Sequence, residues 1–90
     1  MQTVFFTGQL TIQTISTLHQ QYQGQLLSWQ EQGGVLFDLT EIEQVDSSGL
    51  QWLLMLKQHL HKQAASLHLK TNAVIELAAK RIGMQESLFG

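Results

Sequence analysis

The order of apolar runs in this chain predicts an α/β fold, with a mainly parallel sheet of three or four strands packed against three helices. Three observations predict it. Short β-prone runs alternate with stretches of helical apolar spacing; the central run Val35-Leu36-Phe37-Asp38-Leu39 is nearly continuous, as in a buried parallel strand; and each helical stretch carries its own stop or capping residues. Right-handed crossovers then connect the strands.

Thr3 to Thr7 reads as the first strand, because Val4, Phe5 and Phe6 form a β-prone run that stops at Gly8, and it is expected to be buried on both faces. Ile15, Leu18, Tyr22, Leu26 and Trp29 then recur at three- and four-residue steps. That spacing predicts an amphipathic helix starting near Thr11 or Thr14, weakened by Gly24 and ended by Gly33-Gly34. The second strand is Val35 to Leu39, and Asp38 is its anomaly, because an unpaired buried carboxylate is costly. Asp38 is therefore expected near the strand's exit, followed by a loop from Thr40 to Val45.

From Leu50 a helix follows, with Leu53, Leu54 and Leu60 on one stripe and Trp52, Met55 and His59 on another face. Ser66 to Lys70 alternates as a strand nearer the sheet edge. Thr71-Asn72 caps a last helix carrying Val74, Ile75, Leu77, Ala78 and Ile82, with Lys80 and Arg81 in its final turn and Gly83 as its stop.

Ninety residues suit one small domain spanning 1–90. The chain is 43% hydrophobic and 13% charged, which fits a globular chain rather than a disordered one. A net charge of -2 gives no electrostatic footprint for nucleic acid. Cysteine is absent, so disulfides, thiol catalysis and thiolate metal sites are excluded. The first residues, Met1 to Thr7, lack the basic and apolar regions of a signal peptide, and no run reaches the roughly 20 apolar residues of a membrane span, so a cytoplasmic location without direct membrane insertion is expected.

Function is expected at the junction Glu43-Gln44-Val45-Asp46-Ser47-Ser48-Gly49-Leu50, beyond the carboxyl ends of the strands. Asp46, Ser47 and Ser48 can each offer an oxygen to the free N–H groups of the helix, and Gly49 lets another surface approach its first turn. A helix N-terminus also favours a phosphate. Capping alone is the plain account of these residues. Packing against the domain's other helices is likewise the plain account of Trp52, Met55 and His59, set beside a partner surface rich in Trp and Met.

His19, His59, His61 and His68 do not make a metal site, since His59 and His61 fall on different helix faces and no acidic set completes a shell; solvated surface histidines account for them. The serines lack the Gly-x-Ser-x-Gly turn of hydrolases, Asp38 lacks the acidic pair of a phosphate-accepting receiver, and no Walker-type loop is present. The chain is expected not to be an enzyme and to need no cofactor.

The strings Val35 to Leu39, Val45-Asp46-Ser47-Ser48-Gly49-Leu50, Leu53-Leu54 and Arg81-Ile82-Gly83-Met84 resemble a STAS domain, the fold of bacterial anti-sigma factor antagonists. The likeness covers residues 34 to 84 well and the N-terminal third loosely. It implies a regulatory protein-binding module of bacterial signal transduction, in which Ser47 is the serine that an anti-sigma kinase-type partner phosphorylates and Ser48 its unmodified neighbour. The partner-binding residues it suggests, taken with the reading above, are Asp38, Asp46, Ser47, Ser48, Gly49, Trp52 and Met55. Where the family often has Gly-Glu-Leu-Asp, this chain has Gly8-Gln9-Leu10-Thr11, and the extra N-terminal strand of longer relatives is expected to be reduced or missing. A second implied role is the accessory STAS subunit of a bacterial lipid-asymmetry ABC transporter, whose turn more often resembles Asp-Thr-Gly-Gly, binding the transporter's ATPase through the same helix. A third is a STAS protein of a chemotaxis or other signalling cluster.

Overall fold

A computed structural model describes residues 1–90. Three strands, β1 (Gln2–Leu10), β2 (Gly34–Val45) and β3 (Ser66–Lys70), form one parallel sheet in the order β1-β2-β3. The helices are α1 (Ile15–Tyr22), α2 (Leu26–Glu31), α3 (Ser47–Lys62), α4 (Ala73–Arg81) and α5 (Gln85–Phe89). The fold class is the expected one. The first predicted helix is instead two, joined by a 3-10 turn at Gln23–Gln25 that contains Gly24, and α5 is an addition. No helix is long and apolar enough to cross a membrane.

The helices cover one face of the sheet. Val4, Phe6, Val35, Phe37, Leu39 and Leu67 point into the core there, where Trp29, Trp52, Leu53, Leu56 and Leu60 meet them. Phe6, Tyr22, Trp29, Phe37 and Trp52 form a chain of ring contacts, with Trp29 edge-on to Phe37 at 5.5 Å between centroids. The opposite face is open: Phe5 is 70% exposed, and Thr3, Leu36 and Asp38 are only half-buried. The expectation that β1 is buried on both faces is thus corrected, because every crossover helix packs on the same side.

β2 runs on through the segment expected as a loop from Thr40 to Val45. The reason lies in two irregularities. β1 pairs Phe5 with Asp38 but Thr7 with Glu41, then Gly8 with Ile42 but Gln9 with Gln44, so β2 carries an extra residue at each shift. Its inward positions therefore pass from steps of two (Val35, Phe37, Leu39) to steps of three (Ile42, Val45), which hides the strand from a period-2 reading.

β3 ends opposite Asp38, leaving the far side of β2 without a strand beyond that point. Asn72 fills the gap. Its Nδ2 donates toward the carbonyls of Leu39, Thr40 and Ile42 at 3.4, 3.0 and 2.8 Å, while its Oδ1 accepts from Ile75 N–H as the cap of α4. α4 closes with the paired bonds Met84 N to Ala79 O and Gly83 N to Lys80 O, and Gly83 takes the left-handed conformation at φ +74° that this ending requires.

Candidate functional site

Asp46 builds the junction between β2 and α3. Its Oδ1 accepts from Gly49 N–H at 3.0 Å, which caps α3, and its Oδ2 accepts from Ile12 N–H at 2.9 Å, which ties the loop after β1 to the same point. Burial works to raise the pKa of this carboxyl, yet the N–H groups of Ile12, Gly49 and Ser48 outweigh it and hold it below the usual value. The cap is thus a charged acceptor that joins two loops. Neither serine hydroxyl takes part in these bonds, and of the three capping candidates Asp46 alone acts as one.

Gly49 is buried, and a Cβ there would run into the backbone carbonyl of Leu10. The surface that approaches Gly49 is therefore the end of β1 and not a partner, which corrects its place among the partner-binding residues. Close contact between α3 and Leu10 in turn sets the height at which Ser47 stands.

Ser47 is the first residue of α3 and is exposed, whereas Ser48 is half-buried. Along the same side of the helix lie exposed Gln51 and Met55, the latter 46% exposed, and across the Asp46 bridge lies Ile12 at 69%. These residues carry no charge. The loop beside them is neutral as well, with Thr11 Oγ1 donating to Gln9 Oε1 at 3.3 Å.

Trp52 does not belong to this surface. It is 5% exposed, lies within 6.2 Å of the Phe6 and Phe37 rings between centroids, and donates its Nε1–H to His19 Nδ1 at 3.3 Å. Its expected role on a partner-facing surface is corrected: α1 folds over that shoulder of α3 and closes it. Two of the histidines expected to be merely solvated are engaged, His19 with Trp52 and His59 with Gln30 Nε2 at 2.9 Å.

Asp38 does not join the junction either. It pairs in register with Phe5 and Lys70 on the open sheet face, eight residues before Asp46, or about 25 Å along an extended strand. Its carboxylate accepts from Thr40 Oγ1 at 2.6 Å and Thr40 N–H at 3.0 Å, and these bonds, hydroxyl first, hold its pKa below the usual value with help from Lys70. The carboxylate finds its donors two residues along its own strand rather than at a strand exit.

The residues brought together are thus Ile12, Asp46, Ser47, Ser48, Gln51 and Met55. Ile12 was not singled out from the sequence; it lies three residues before Ile15, in step with the helical series, so the spacing gave no sign that it falls outside α1 and is exposed.

A family model described as "Mlab, STAS domain" matches residues 2–86. No curated protein and no solved structure matches the chain.

Proposed function

The chain belongs to the STAS domain family, and from that premise we propose that it is a regulatory protein-binding module of the anti-sigma factor antagonist kind, docking a kinase-type anti-sigma partner through the start of α3. The observation that supports this best is Ser47. It stands exposed at the first position of a sixteen-residue helix, its hydroxyl free of other bonds, within an uncharged surface formed with Ile12, Gln51 and Met55.

Phosphorylation of Ser47 would add about -1.5 to -2 charges to that neutral surface. The helix N-terminus would accommodate the phosphate, while the neighbouring Asp46 carboxylate, already ionised and held by backbone N–H groups, would add to the negative field facing the partner. Binding then changes while the fold stays. Moving a partner from nearly all bound to nearly all free takes a change in relative affinity of about 10⁴. In this reading the chain is the substrate of a kinase and performs no catalysis itself.

A second reading uses the same surface without modification: an accessory STAS subunit that clamps the ATPase of a bacterial lipid-asymmetry ABC transporter. The Mlab description of the matched family and the leucine-dense α3 favour it. Capture of partners from native lysate on tagged wild type and Ser47→Asp, identified by mass spectrometry, separates the two. An anti-sigma kinase held by wild type and lost by Ser47→Asp supports the switch; an ABC ATPase held equally by both overturns it in favour of the transporter subunit.

A further inference from the structure

The two edges of the sheet differ in kind. β3 is five residues long and carries His68 and Lys70 toward the open face, the charged and short edge that discourages pairing with another chain. β1 is nine residues long, Gln2-Thr3-Val4-Phe5-Phe6-Thr7-Gly8-Gln9-Leu10, with no charge and no proline. Its inner edge pairs with β2, but between Gln2 and Gly8 its outer edge takes no backbone hydrogen bond from any other part of the chain. No bulge falls on β1 itself, since both extra residues lie on β2. The defences that edge strands usually carry are absent.

Beside that edge, on the open face, Phe5 is 70% exposed. A parallel sheet is ordinarily covered on both faces. Here an apolar ring stands uncovered at the middle of an unprotected strand.

We propose that β1 pairs antiparallel with β1 of a second copy of this chain, about a two-fold axis at Phe5, joining two three-stranded sheets into one of six. The sequence of the strand favours its own copy as the occupant. About that axis Phe5 faces Phe5, Thr3 faces Thr7, and Val4 on the core side faces Phe6, all pairings of β-prone side chains that stabilise an antiparallel ladder. No like charges meet. The nearest acidic groups, Asp38 of each copy, lie one strand further in on either side and so about 14 Å apart, beyond the Debye length at physiological salt. An isologous contact of this kind closes on itself and leaves the two β3 edges, with their His68 and Lys70, as the outer borders.

Sedimentation of the full chain over a range of concentrations tests this, together with Phe5→Lys and with single-cysteine variants in a chain that has no cysteine of its own. Wild type should pass from monomer to dimer, and Phe5→Lys, at an exposed position that leaves the core intact, should need at least about tenfold more protein to do so. Under oxidation Phe5→Cys should form a linked dimer, since paired antiparallel residues lie within disulfide reach, whereas Gln58→Cys on the exposed side of α3 should not. A wild type that stays monomeric to about 0.5 mM, a dimer indifferent to Phe5→Lys, or equal linkage of both cysteine variants overturns the proposal.

Discussion

Asp46 holds two loops with one carboxylate, so its loss should be felt beyond the helix it caps. Because its pKa is lowered in the folded chain, the unfolded chain binds the proton more readily, and stability rises with pH through that range. The stabilisation is complete above the ordinary aspartate value of 3.8 and is lost as pH falls through the lower folded value. Denaturant titration between about pH 2 and pH 6 should show this slope in wild type and a flatter one in Asp46→Asn. Gly49→Ala should destabilise by about 1–3 kcal/mol, because the added methyl meets backbone rather than a side chain that can turn away. Asn72 separates its two roles in one substitution. Asn72→Asp keeps the cap on Ile75 but turns a carboxylate toward three carbonyls, and should cost about 2 kcal/mol in chemical denaturation; were capping its whole role, the change would be neutral.

At the scale of elements, β2 and α3 carry most of what positions the site, and they differ in how far their sequences disclose it. The capped start of α3 was legible because a cap is a local pattern: Asp46 followed three residues later by Gly49 and an apolar helix. The length of β2 was not, because its inward residues change from steps of two to steps of three at Leu39, where the extra residues enter. Trp52 was misread for a related reason. Leu56 is four residues after Trp52 and three after Leu53, and counting it turns the buried side of α3 toward Gly49, Trp52, Leu53, Leu56 and Leu60, leaving Leu54 half-exposed. Trp52→Ala should consequently cost about 3–5 kcal/mol and lower the melting temperature steeply. Met55→Ala, on the open side, should change stability by less than about 1 kcal/mol while weakening partner binding. The end of α3 offers a gain instead. Ala64 holds a left-handed φ of 58° where Ala65 N bonds back to Leu60 O, and Ala64→Gly should relieve that conformation and raise the denaturation midpoint.

Across the whole molecule, helices on one side of a small parallel sheet leave two different surfaces, and the strand order places them apart. The start of α3 with the Ile12 loop forms one, centred on an exposed serine, and its exposed side chains Ile12, Ser47, Gln51 and Met55 are uncharged. The open sheet face and the bare edge of β1 form the other, centred on Phe5. The order of strands and helices was readable from hydropathy because β-prone runs alternate with stretches of helical spacing, most of them divided by glycine or capping residues. The one-sided covering was not, since a nearly continuous apolar run such as Val35 to Leu39 looks the same whether its second face is covered or open. Asp38 marks the difference: it is tolerated mid-strand because its face meets solvent, Thr40 and Lys70 rather than another layer.

Partner docking through the start of α3, switched by charge at Ser47, is tested most directly by photo-crosslinking in cells, with the reactive group placed at position 55 on α3 or, as a control, at exposed position 77 on α4. A partner adduct from position 55 that vanishes when Ser47→Asp is added, with none from position 77, is the predicted result. An adduct from position 77 alone, or one from position 55 that persists undiminished with Ser47→Asp, would contradict it.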